Sequence, residues 1–261
     1  MNRIRQGLLL ATGLTLALAA TTALAAGPLR VGFAAEPYPP FSYTSSSGQW
    51  TGFEIELAND LCARLDRECR HVPTAWSGII PALNSSKIDM IMNSMSITKK
   101  REKVVDFSRP YYKTLGAYIG PKSMDINIPQ GLKGKILGVQ ASTTHSSYAR
   151  KELAGMGVQL KYYDKQEQAN RDLLAGRIDL TLADQIAMQQ FLQRDSARDL
   201  EIKGTVPSNA PEYGKGIGIA LRKSDDALRK KVNKALTTLI DDGTCEKLSQ
   251  KYFNQNICSS S

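Results

Sequence analysis

Apolar and polar positions along this chain fall into short strand-like runs separated by helical repeats. Leu29-Arg30-Val31-Gly32-Phe33 reads as a first strand and runs into the turn-rich Glu36-Pro37-Tyr38-Pro39-Pro40-Phe41, with a second turn at Ser45 to Gly48. Leu57, Leu61 and Leu65 recur every four residues with Ala58 and Cys62 beside them, which predicts an amphipathic helix over 54–67. Leu83 to Met92 (LNSSKIDMIM) and Leu173 to Leu182 (LLAGRIDLTL) echo each other at an offset of 90 residues. In each, a helix ends, a basic residue and Ile-Asp follow, and an apolar strand begins. Each copy also follows another apolar strand candidate, Leu29–Phe33 or Ile136–Val139. That pattern predicts two α/β lobes of similar build. Near the C-terminus, Gly214 to Leu221 reads as a Gly-spaced strand, and Ser224 as the N-cap of a helix. Leu228, Val232, Leu236 and Leu239 carry that helix to Gly243, and a short helix follows with Leu248 and Tyr252 on one face.

The run from Met92 to Arg101 (MNSMSITKKR) carries the most chemistry. It leaves an apolar strand, Ile88 to Met92, where loops of open α/β sheets reach ligands. In extended backbone the hydroxyls of Ser94 and Ser96 face the same way. Arg101 offers a planar fork suited to a carboxylate. Read alone, the stretch is equally a solvated Ser/Thr loop before a basic helix. The G-x-G-x-G at Gly214 is no dinucleotide site, because no helix N-terminus follows it at the required place.

Composition narrows the class. The chain has 261 residues, 42% of them apolar, room for one large domain or two small ones. Arg3 and Arg5, the apolar run Leu8 to Ala20 and Ala23-Leu24-Ala25 form a secretory signal peptide over 1–25, so the mature chain is expected to start near Ala26 and to be exported to the periplasm. All four cysteines lie in the mature part, as an oxidising compartment allows. Of the three possible pairings, the local one, Cys62–Cys69 and Cys245–Cys258, is expected. With His71 and His145 as the only histidines and no C-x-x-C spacing, no metal is expected. Beyond the signal peptide stand 32 basic against 25 acidic residues, about +7. They are spread along the chain with no basic block or interleaved aromatics, the signature of a soluble exported protein and not of nucleic-acid binding.

With these elements in place, the chain resembles the periplasmic amino-acid-binding proteins of ABC uptake systems (solute-binding protein family 3), most closely the lysine/arginine/ornithine and histidine binders. The segments that carry the resemblance are TGFEIELANDLCARLDREC, GIIPALNSSKID, NSMSITKKR, AGRIDLTLAD and DGTCEKLSQKYF. The resemblance implies a two-lobed periplasmic-binding-protein fold of type II, with two α/β lobes joined by two crossing strands. Lobe 1 would be 26–113 plus 217–261 and lobe 2 would be 117–207, with hinges at 114–116 and 208–216. It implies a monomer that needs no cofactor, holds one free L-amino acid between the lobes and delivers it to an inner-membrane permease.

Carried over residue by residue, the resemblance puts Arg101 on the ligand α-carboxylate, helped by N–H groups at Ser96 and Thr144 with Thr143 beside them. Asp184, aided by Ser94 and Ser96, would receive the α-ammonium. Taken alone, an Asp at a strand end is more often a turn or cap residue. Tyr38 and Trp76 match positions that place rings around the ligand side chain, although core packing is the plainer reading of both. Glu54 aligns with an acidic position near the side-chain end of the pocket, with Glu36 nearby in sequence. The chain departs from the pattern where Ala35 takes the place of an Asp common in binders of cations, unless Glu36 substitutes. Asn93 stands for a usual serine, Gln140 for an apolar residue and His145 for a glutamine. Some exported dehydratases share this build, but no G-x-S-x-G elbow, metal cluster or nucleophile–base pair is evident here. A module that signals to a receptor is a third class.

Overall fold

The computed structural model describes residues 27–258. The signal-peptide expectation for 1–25 lies outside the described residues. In chain order the elements are β1 (Leu29–Ala34), β2 (Tyr43–Thr44), β3 (Trp50–Thr51), α1 (Phe53–Arg64), β4 (Cys69–Thr74), α2 (Ile79–Asn84), β5 (Met90–Ile91), α3 (Lys99–Glu102) and β6 (Asp106–Phe107). Then come β7 (Gly116–Pro121), β8 (Ile136–Gln140), α4 (Thr144–Tyr148), β9 (Gln159–Tyr163), α5 (Gln166–Leu174), β10 (Leu180–Asp184), α6 (Gln185–Leu192) and β11 (Leu200–Thr205). The chain ends in β12 (Ala220–Leu221), α7 (Asp226–Asp241) and α8 (Thr244–Phe253).

Two five-stranded sheets result, ordered β4-β1-β5-β12-β6 and β11-β7-β10-β8-β9. In the first, β1 pairs parallel with β4 and β5, and β12 closes antiparallel on β5. In the second, β8 pairs parallel with β9 and β10, and β7 closes antiparallel on β10. Read from the opposite edge, the second sheet repeats the first. The chain passes from one sheet to the other between β6 and β7 and returns between β11 and β12. These are two α/β lobes of one plan, as the echo predicts.

The echoed Ile-Asp has a packing reason. A Cβ on Gly32 would lie 2.3 Å from the Ile88 side chain, and one on Gly138 would lie 2.5 Å from that of Ile178. β1 and β8 thus each carry a glycine gap that the echoed isoleucine fills. The aspartate that follows accepts a backbone N–H from the same strand's start: Asp89 from Arg30 at 3.0 Å, and Asp179 from Ile136 at 2.7 Å. One device, repeated, locks β1 to the start of β5 in the first lobe and β8 to the start of β10 in the second.

The disulfides pair locally, Cys62–Cys69 and Cys245–Cys258, tying the end of α1 to β4 and α8 to the C-terminal segment. Three boundaries differ from expectation. The first helix ends at Arg64, short of 67, because Arg67 N–H folds back onto the Cys62 carbonyl to start the turn into β4. Gly214 to Leu221 is regular strand only at its last two residues, since Gly214 and Gly216 take φ of 70° and 121°. Before them Ile217 makes isolated bridges to Ser96 and Tyr112. Ser224 does not cap α7: the helix begins at Asp226, ends at Asp241 before Gly243, and Arg222 holds the Asp225 carboxylate at 2.7 Å.

Candidate functional site

The C-terminal ends of the parallel strands from both sheets face one cleft, with an empty volume of about 670 Å³ including the part open to solvent. Among the described residues sixteen buried side chains are polar or charged, and nine of them line this cleft. Polar groups leave water only where something satisfies them, so their concentration here marks a binding site.

From the first lobe, Asn93 accepts the Ala34 N–H on its Oδ1 at 2.6 Å, which fixes the loop after β5 against the end of β1. Ser94 sits in the left-handed region at φ 44°, and its N–H donates to both oxygens of Glu54 at 2.8 and 2.7 Å. Thr98 caps α3 and so aims Arg101 into the cleft. Arg101 donates to the Ser96 carbonyl at 3.0 Å and lies 5.4 Å over the Trp76 ring. Burial lowers its pKa to about 10, so it stays charged at neutral pH.

From the second lobe, Gln140 ends β8, and Thr143 caps α4 through a reciprocal pair with Ser146. That leaves Thr143, Thr144 and His145 on the cleft wall. His145 shares a 2.8 Å hydrogen bond with the Tyr213 hydroxyl. Burial, with the Arg101 charge behind it, holds its pKa at about 3, so it is a neutral ring. Asp184 closes β10 and caps α6, accepting Ile186 and Ala187 N–H on Oδ1 at 2.9 and 3.2 Å. Burial pushes its carboxyl up to about 6 against the pull of those hydrogen bonds.

The two walls touch. The Ser142 carbonyl, presented at φ 62°, accepts from Trp76 Nε1 and from Arg101, both at 3.3 Å. Gln140 donates to Glu36 at 3.4 Å.

Of the residues singled out in the sequence, Tyr38, Trp76, Asn93, Ser94, Ser96, Arg101, Gln140, Thr143, Thr144, His145 and Asp184 all line the cleft. Tyr38 does so while its ring stacks on Phe41. Glu54 does not. Its carboxylate is buried beneath the cleft, where it accepts from Tyr111, Tyr112 and Ser94, and it supports the wall from behind. Glu36 is the acidic residue on the lining from that region, and the place of the family's usual Asp, Ala35, is exposed. Sequence reading did not single out Thr114, Gln166, Tyr213 or Ile217. Nothing in the local pattern of an α5 first-turn Gln, or of a Tyr between Pro and Gly, marks them out. Among the described residues no group of His, Cys, Asp and Glu is placed to hold a metal, and no helix is long and apolar enough to cross a membrane.

Residues 29–255 match the model of the bacterial extracellular solute-binding proteins, family 3. The chain belongs to this family. Relatives within it include the L-arginine-binding protein of Pseudomonas aeruginosa, 37% identical with 89% of this chain and 90% of that one covered. Another is the histidine-binding periplasmic protein of Escherichia coli, 36% identical over 96% and 98%. A solved structure of an ancestral arginine-binding protein bound to arginine superposes with a TM-score of 0.81 at 35% identity, covering 88% of this chain and 99% of that one. The two-lobed type II architecture is thus that of the solute-binding family.

Proposed function

We propose that this protein captures a cationic L-amino acid between its lobes in the periplasm and delivers it, as a monomer, to an ABC permease. The lobes would be 26–113 with 217–261 and 117–207, hinged at 114–116 and 208–216, after removal of the leader 1–25. The observation that carries the reading is the charge set of the cleft: one guanidinium, Arg101, and two carboxylates, Asp184 and Glu36, around a neutral His145. An amino acid with a basic side chain is the mirror image of that set. Its carboxylate suits Arg101, its α-ammonium Asp184, and its side-chain cation Glu36 and the rings of Tyr38 and Trp76. Because Arg101 and Asp184 come from different lobes, a zwitterion satisfies both only in the closed state, and its binding therefore favours closure. The names and bound ligands of the relatives point the same way.

A thermal-shift panel of the common amino acids with ornithine and citrulline tests this. A ligand at 100 times its dissociation constant stabilises by about 2.7 kcal/mol. Stabilisation by acidic or apolar amino acids in place of basic ones would remove the cationic assignment.

Asp184 supplies a pH dependence. Its carboxyl rises from an ordinary 3.8 to about 6 on folding. The folded state therefore holds more protons between those values, and this group makes the ligand-free protein more stable as pH falls through 6 toward 4. An α-ammonium needs the ionised carboxylate, so binding must expel that proton at low pH. Affinity is expected to be level above about pH 7 and to fall by up to about tenfold per pH unit below 6. Calorimetric titration at pH 7.5 and pH 5 measures it, and Asp184→Asn should bind weakly with most of the pH dependence gone.

A further inference from the structure

The Gln166 side chain is 5% exposed and lines the cleft, yet both hydrogens of its amide are already committed. Nε2 donates to Asn170 Oδ1 and to Thr181 Oγ1, each at 3.0 Å. Thr181 is fully buried and spends its own hydrogen on the Gly138 carbonyl at 3.0 Å, so toward Gln166 it can only accept. The chain from Gly138 through Thr181 therefore fixes which way the Gln166 amide faces, and leaves its carbonyl oxygen, at the rim shared by the cleft and a neighbouring hollow, free to accept. Gln140 is oriented alike: its Nε2 donates to the Asp164 carbonyl at 3.1 Å and to Glu36 at 3.4 Å. The second lobe thus offers fixed neutral acceptors beside the Glu36 carboxylate.

We propose that Gln166 is a specificity-determining residue. Its oriented carbonyl, with Glu36 and Gln140, takes the donor-rich end of the ligand side chain and favours a guanidinium over the neutral ureido group of the same length. This rests on the amino-acid-binding reading and deepens it. A guanidinium carries five N–H donors and no acceptor. A ureido group replaces one nitrogen by an oxygen, which would meet acceptor with acceptor and strand a desolvated pair. Thr181, outside the lining, acts as a positioning residue through the amide it holds.

The test is calorimetric titration of the mature chain with arginine and citrulline for wild type, Gln166→Met and Thr181→Val, with thermal unfolding recorded for each. Wild type should prefer arginine, and Gln166→Met should narrow the arginine-to-citrulline ratio by about tenfold, the usual effect of losing a hydrogen bond to a charged group. Thr181→Val frees the amide to turn and should narrow the ratio without touching ligand, an effect that a purely structural role would not produce. It also carries the test if Gln166→Met does not fold. Arginine binding with an unchanged ratio in the folded variants overturns this assignment alone. A wild-type protein that binds no α-amino acid overturns the underlying reading as well.

Discussion

Arg101→Ala is expected to weaken binding of every cognate amino acid by about 2–5 kcal/mol, the cost of leaving a buried charge without its partner. In the proposed binding mode the guanidinium addresses the α-carboxylate, which all amino acids share, so the loss should be uniform across side chains. Three features make the effect large. Arg101 is half-buried on the cleft wall and burial depresses its pKa, which reduces competition from water. The Ser96 carbonyl and the Trp76 face hold the fork in place before ligand arrives. Among the described residues no second cationic side chain lines the cleft, since His145 stays neutral. Arg101→Lys keeps the charge but not the fork, and should recover only part of the affinity. Titration of arginine, lysine and histidine against both variants decides the matter. Losses confined to one of these amino acids would move Arg101 to the side-chain end.

Glu54→Ala is expected to cost about 3–5 kcal/mol of folding stability, although Glu54 does not line the cleft. Its carboxylate is 1% exposed and accepts from the Ser94 N–H, the Ser94 hydroxyl and the hydroxyls of Tyr111 and Tyr112. Burial raises its pKa even against those four donors. Removing it leaves buried donors without an acceptor and withdraws the anchor of Ser94, a residue held at a φ that favours glycine. Urea unfolding measures the first effect, and titration well below the melting temperature the second. Affinity should fall for all ligands together as the Ser94–Ser96 loop loosens. A destabilised protein with wild-type affinity would sink the anchoring role.

The role of Glu54 shows where the sequence stops being legible. An acidic residue in a first helical turn suggests either a solvated helix start or, by family alignment, a ligand contact. What decides is a tyrosine pair fifty-seven and fifty-eight residues further on, which folds over it. Gln166 is the same problem: its role depends on Thr181 and Gly138, which reach it only through the sheet. The lobes were readable because their signal is local and repeated. The echoed Ile-Asp run is a short local pattern, whereas the glycine gaps it fills and the strand N–H groups its aspartates accept lie on distant segments that only the fold brings together. Arg101 and Asp184 were placed at the cleft by the family resemblance, since alone each reads as well or better as a loop or cap residue, and Asp184 does cap α6. The strand at Gly214 misled because alternation says nothing of φ, and two glycines there leave the extended region.

The unequal tally of two acids to one base has a consequence for traffic at the membrane. Among the described residues the buried Asp184 and Glu36 face a single guanidinium across the cleft, and in the proposed binding mode a dibasic guest would leave the interior electrically even. If that imbalance selects cargo as proposed, it also disfavours closure without a guest. A transporter that recognises the shut form would accordingly meet few vacant carriers.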